Sequence, residues 1–77
     1  MILTIKYFGM LTEVTACQEE KLELSEMELA SLMKVLYKKY PTLKGKNFRV
    51  AQKNAFVAND AKLTNHEIAL LPPFSGG

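Results

Sequence analysis

Ser25–Pro41 reads SEMELASLMKVLYKKYP. Leu29, Leu32, Met33, Leu36 and Tyr40 recur at i, i+3, i+4, i+7 and i+11, so a helix would align them in one apolar stripe. Ser25-Glu26-Met27-Glu28 fits a capping box, with Ser25 as N-cap and Glu28 at N3, and predicts a helix that begins directly after Ser25. Loss of such a cap typically costs about 1 kcal/mol. Pro41 steers Tyr40 away from helical geometry and marks the other end. A helix with one apolar stripe needs a surface to lie on, so Met33 and Tyr40 are read as core residues.

The flanking segments supply that surface. Leu3, Ile5 and Tyr7 alternate with Thr4 and Lys6, the period of a half-buried strand over Ile2–Phe8. Phe8 then falls on the face opposite the core. Gly9 breaks the strand, and Met10, Leu11 and Val14 within 10–16 suggest one helical turn that plugs an end of the core. Lys21-Leu22-Glu23-Leu24 resumes alternation as a second strand. After the helix come a basic loop around Gly45, then apolar runs at 48–51, 55–58 and 67–71, with a turn at Asn59-Asp60. One helix across one face of a mixed sheet of four to five strands, the first strand parallel to the last, is an α+β fold of the β-grasp type.

Seventy-seven residues make a single domain with little room for an enclosed substrate pocket. An apolar content of 48% is that of a globular chain. Cys17 is the single cysteine, which excludes an internal disulfide and a cysteine-cluster metal site. No secretory signal and no apolar run of membrane-spanning length is visible, so a cytoplasmic protein without membrane association is expected. The net charge of +2 hides an asymmetry. Glu13 to Glu28 holds six acids opposed by Lys21 alone, whereas Lys38 to Lys53 holds six bases and no acid. Without a run of stacking aromatics the basic segment does not suggest nucleic acid, and an acidic partner surface suits it better.

The chain closes on Pro72-Pro73-Phe74-Ser75-Gly76-Gly77. Two prolines stiffen the root of this segment, and two glycines leave its tip free of side chains. Six residues reach at most about 20 Å at 3.3–3.6 Å each. A carboxylate is inert until activated, and a bare Gly-Gly end can enter a narrow activating cleft that a side chain would obstruct. A terminal glycine pair arises by chance in about 0.5% of chains, so the weight lies on its coincidence with the Pro-Pro stem and the strand order. The expected organisation is a domain over 1–71 and an extended tail over 72–77.

Leu63-Thr64 and the run from Ile68 to Gly77 resemble the end of the molybdopterin synthase small subunit family, a ubiquitin-like sulfur-carrier family. Ile5 to Glu13, IKYFGMLTE, is similar to that family's first strand and turn. The resemblance implies a ubiquitin-like β-grasp and a sulfur carrier that is not an enzyme on its own. In the implied cycle an ATP-dependent activating enzyme adenylates Gly77, and a sulfur donor converts it to a thiocarboxylate. The tail then enters the large synthase subunit, in an expected heterotetramer, and gives sulfur to cyclic pyranopterin monophosphate to form molybdopterin. No bound cofactor is implied, since Gly77 carries AMP and then sulfur only transiently. The family often has Asp-Gly-Asp before the last strand; here Asn65-His66-Glu67 stands there, and a positive φ at Asn65 would preserve the turn.

Strand parity also predicts a docking face. With Ile68 and Leu70 inward, Leu71 points outward; with Val57 inward, Phe56 points outward, joining Phe8. Phe8, Phe56 and Leu71 are the expected partner-binding residues. His66 lacks a second ligand for metal binding, and Cys17 reads as a small apolar filler. Two alternatives use the same tail: a sulfur carrier for the thiazole of thiamine, and a ubiquitin-like modifier joined to lysines through Gly77. A plain interaction module would not need the tail.

Overall fold

Leu3, Ile5 and Tyr7 are buried, while Ile2 is 54% exposed, so the alternation seen in the sequence becomes strand β1, Ile2–Tyr7. The computed structural model describes residues 1–58 and 60–73. A short helix α1, Leu11–Thr15, follows β1, and its Leu11 is fully enclosed at one end of the core. Strand β2, Glu19–Glu23, returns antiparallel to β1, with Leu3 opposite Leu22. The main helix α2, Leu29–Lys39, packs Leu29, Leu32 and Leu36 inward. Strands β3, Arg49–Gln52, and β4, Ala55–Phe56, form a hairpin, and β5, Glu67–Leu71, is the last strand.

The sheet order is β2-β1-β5-β3-β4. β5 runs parallel to β1, pairing Thr4 with Glu67 and Tyr7 with Leu70, and antiparallel to β3. The predicted mixed sheet with the first strand beside the last is therefore present, with five strands and one main helix on the core face.

Three local readings need correction. The helix begins at Leu29 rather than after Ser25; Glu28 is extended at its N-cap, with no side-chain cap. The loop at 61–63 claims these residues instead. The Leu29 N–H donates to the Ala61 carbonyl at 3.2 Å, and the Leu63 N–H donates to the Met27 carbonyl at 2.7 Å. Leu63 is 3% exposed, so burying its side chain draws residues 27–29 into an extended bridge and satisfies a helix N–H without Ser25. The basic loop around Gly45 is a 3₁₀ turn, Pro41–Gly45, whose Leu43 is fully buried. Asn65 does not take positive φ; its Oδ1 accepts from the Glu67 N–H at 2.9 Å, a turn made by side chain instead of backbone strain. Positive φ falls at Lys53 and Asn54, between β3 and β4. The turn read at Asn59-Asp60 includes Asn59, outside the described residues.

A polar clip joins helix to sheet at the β2 edge. The Glu20 carboxylate accepts from the Tyr7 hydroxyl at 2.6 Å, from the Tyr40 hydroxyl and from the Lys39 ammonium. The two tyrosine rings meet edge to face at 6.2 Å. Burial opposes the charge on Glu20, but the bonds from Lys39, Tyr40 and Tyr7 outweigh it and hold the carboxyl below its ordinary value. The same contacts push both tyrosine hydroxyls up, burial first and the Glu20 bond second.

A carboxyl depressed in the folded state contributes stability above its unfolded value of 4.5, and loses it as pH falls through the lower folded value. Glu20→Gln is expected to cost about 1.5–3 kcal/mol at pH 7. Thermal melts should show that gap narrowing below pH 4.5, as the wild-type carboxyl takes up its own proton; a gap constant to pH 2.5 would contradict the assignment. For the helix start, Ser25→Ala should change stability by less than about 0.5 kcal/mol, whereas Leu63→Ala should cost about 2–5 kcal/mol in urea unfolding.

Candidate functional site

β5 lies between β1 and β3, so the chain leaves the sheet from its middle. Three features converge on that exit. Arg49 at the start of β3 pairs with Leu71. Phe8 follows the end of β1, its N–H donating to the Leu70 carbonyl at 3.1 Å. Phe56 on β4 sits opposite Ala51. Leu71 and Pro72 are half-buried and Pro73 is exposed. Phe74, Ser75, Gly76 and Gly77 lie outside the described residues.

Parity then decides what the uncovered side of the sheet carries. Ile68 and Leu70 are buried in the core, so Ala69 and Leu71 lie on the opposite face. Val50 belongs to the core cluster, so Arg49 and Ala51 lie on that opposite face too, with Ala51 itself covered there. Phe8 at 44% and Phe56 at 56% exposure complete an apolar patch. Phe8, Phe56, Leu71, Ala69 and Ala51 line one open depression of about 660 Å³. The structure thus brings together all three residues expected from parity.

Val57 is half-buried against the core, as the outward reading of Phe56 requires. Away from the exit the same face turns polar, with Lys6 and Glu67 paired at 3.5 Å. Both side chains are well exposed, so that pair adds little to stability.

Arg49 was missed by sequence reasoning. Its guanidinium lies 3.7 Å from the centre of the Phe56 ring, a cation–π contact at the rim of the patch. The signal was available, because Arg49 shares parity with Ala51, but a basic residue inside a basic stretch reads as solvated surface. Gly9 was read only as a strand breaker. It has φ of +60°, and a Cβ there would lie 2.6 Å from Pro72 Cγ.

The remaining candidates have ordinary surroundings. His66 is exposed, its Nδ1 3.3 Å from the Ile2 carbonyl. Cys17 is half-buried against the core, its Sγ 3.7 Å from Thr15 Oγ1 and 3.8 Å from Glu20 Oε2. Among the described residues no three His, Cys, Asp or Glu side chains are grouped to hold a metal, and no helix is long and apolar enough to cross a membrane. What the arrangement can do is present: a central exit for the chain, ringed on one side by apolar surface and a cation.

Comparison with known proteins gives this arrangement its relatives. The model of the ThiS family matches residues 5–77. A Pyrococcus furiosus protein described as molybdopterin converting factor subunit 1 has a TM-score of 0.83 at 17% identity, covering 96% of this chain and 99% of that one. SAMP1 from Haloferax volcanii has a TM-score of 0.76 at 21% identity, with full coverage of both chains. A chain from the complex of subunits 1 and 2 of the Helicobacter pylori molybdopterin-converting factor has a TM-score of 0.71 at 22% identity, covering 100% of each. At these identities the structural likenesses establish the shared fold.

Proposed function

The chain belongs to the ThiS family of ubiquitin-like sulfur carriers, and from that premise we propose that it is the sulfur-donating small subunit of a molybdopterin synthase. The observation that carries the reading is the family match running through Gly77 on a domain whose last strand delivers the tail from mid-sheet. The chain supplies the carrier and not the catalytic side chains.

In the proposed cycle the Gly77 carboxylate attacks the α-phosphorus of ATP within an activating enzyme, and pyrophosphate leaves. A persulfide sulfur then attacks the acyl carbon of the adenylate and AMP leaves. A thiol breaks the resulting S–S bond, leaving a thiocarboxylate on Gly77 and a disulfide on the donor side. Each step needs a reactant to come close to the terminal carboxyl group, and the α-carbons of Gly76 and Gly77 carry no side chain to obstruct it. Pro72 and Pro73 stiffen the base, so less chain entropy is lost when Phe74, Ser75 and the glycines enter a partner. Delivered to the large subunit, the thiocarboxylate gives its sulfur to cyclic pyranopterin monophosphate and returns as the carboxylate. The cycle is placed in the reducing cytoplasm, where persulfide and thiol donors persist.

The patch of Phe8, Phe56 and Leu71 beside the exit is the proposed seat for both partners. A surface adjoining the tail holds the domain while the tail is threaded, and exposed aromatics of this size are suited to anchoring. The complex of subunits 1 and 2 known for the Helicobacter pylori relative supports a large-subunit partner of this kind. The likeness to SAMP1, a small archaeal modifier protein, favours a second reading in which Gly77 is joined to lysines. The two differ in product: thiocarboxylate in one case, isopeptide conjugates in the other. Supply of sulfur to the thiazole of thiamine shares the loading step and differs only in the acceptor.

Incubation with an activating enzyme, ATP and a sulfur source is expected to replace one oxygen of the chain by sulfur, read by intact mass spectrometry and mapped to Gly77. Removal of Gly76-Gly77 should abolish it; sulfur gained by the truncated chain would overturn the carrier reading. Phe8→Ser with Phe56→Ser is expected to weaken the complex with the large subunit by about tenfold or more. Its melting temperature should stay within a few degrees of wild type, since both rings are exposed. Unchanged affinity in calorimetric titration would move the docking surface elsewhere.

A further inference from the structure

The β1–β5 register, carried two residues beyond Tyr7 opposite Leu70, sets Gly9 opposite Pro72. At that point the α-carbon of Gly9 faces the proline ring with no room for a side chain. A Cβ on Gly9 would lie 2.6 Å from Cγ, 3.6 Å from Cδ and 3.8 Å from Cβ of Pro72. The first distance is far inside van der Waals contact. The backbone of Gly9 is also left-handed, at φ +60°.

The turn that carries Gly9 has little freedom to yield. The Gly9 carbonyl accepts from the Thr12 hydroxyl at 2.8 Å and from the Thr12 N–H at 3.2 Å. The Leu11 N–H donates to the Phe8 carbonyl at 3.2 Å, and the Leu11 side chain is fully buried. On the other side, Phe8 is tied to Leu70. Pro72 itself has no N–H to extend the ladder, so van der Waals contact with the turn replaces a hydrogen bond at the root.

We propose that Gly9 is a positioning residue for the tail: its bare α-carbon forms the seat against which Pro72 rests, and that seat sets the angle at which the chain leaves the sheet. The inference rests on the sulfur-carrier reading, because an exit angle matters only if the end must be delivered. Leverage gives it consequence. A tilt of about 10° at the root displaces a point about 20 Å away, the most that six extended residues can span, by about 3–4 Å. A reacting carbon displaced by even about 1 Å can lose about a hundredfold in rate. A side chain on Gly9 therefore damages loading through geometry, although Gly9 touches neither ATP nor sulfur.

Four variants separate this from a loss of folding. Gly9→Val adds a branched side chain at positive φ and is expected to lower kcat for thiocarboxylate formation at least about tenfold. KM for the activating enzyme should stay within about twofold, because the patch of Phe8, Phe56 and Leu71 is untouched. Gly9→Ala should show the same split more mildly. In Gly9→Ala/Pro72→Ala the colliding Cγ is gone, and kcat should return to within about twofold of Pro72→Ala alone. Far-UV circular dichroism and melting confirm that each protein is folded at the assay temperature; should Gly9→Val not fold, the alanine set decides.

Loading of Gly9→Val at the wild-type rate, or a double variant no faster than Gly9→Ala, would overturn the proposal. Failure of the wild-type chain to load defeats the carrier reading instead. The seat is then read by NMR, where Gly9→Ala should move the Leu71 amide and Pro72 ring-carbon resonances and leave β2 in place. Unmoved Pro72 resonances would refute the seat itself.

Discussion

The parallel pairing of β1 with β5 is the constraint on which the rest of the molecule depends. It joins segments from opposite ends of the chain, so the loop-closure cost is met only when the intervening elements pack. Leu3, Ile5, Tyr7, Ile68 and Leu70, all from these two strands, form the floor on which α2 lies. The same register sets the opposite face. A slip of β5 by one residue against β1 would turn Ala69 and Leu71 toward the core and expel Ile68 and Leu70. Core and apolar patch are therefore two readings of a single alignment.

Around that pair the structure uses latches at the places where a small domain is weakest. α2 is held at its start by the backbone bridge to residues 61–63 and at its end by Tyr40 and Lys39 on Glu20. Glu20 belongs to an edge strand, so the clip also binds that edge to the helix that covers the core. The β3–β4 hairpin is fastened through Gln52, whose side-chain carbonyl accepts from the N–H groups of Thr64 and Asn65 at 2.9 and 3.3 Å. These latches free the middle of the sheet to carry its uncovered face and the exit of the chain.

Much of this was legible in the sequence, because period-2 and period-3.6 patterns report burial directly. β1, β5 and the stripe of α2 were readable from Leu3, Ile5, Tyr7, Leu29, Leu32, Leu36, Ile68 and Leu70. Parity placed Phe8, Phe56 and Leu71 on the far side from the core. What escaped were features set by contact between distant segments. Ser25-Glu26-Met27-Glu28 has the local chemistry of a cap, yet Leu63, more than thirty positions on, decides the backbone at Met27 and Glu28. Leu43 looked like part of a charged loop because one leucine has no period. Gly9 and Arg49 acquired meaning only when the register put them beside Pro72 and Phe56.

In the proposed cycle the domain acts as a handle for a chemically simple end, and its fold matters through where that end emerges. The most direct measurement follows a single turnover in which the chain, already carrying sulfur, is mixed with the large subunit and cyclic pyranopterin monophosphate. The account predicts that thiocarboxylate disappears in step with dithiolene formation, one carrier spent for each sulfur gained, and that the chain reappears as its carboxylate. Sulfur retained on the chain while product forms from another source would contradict it.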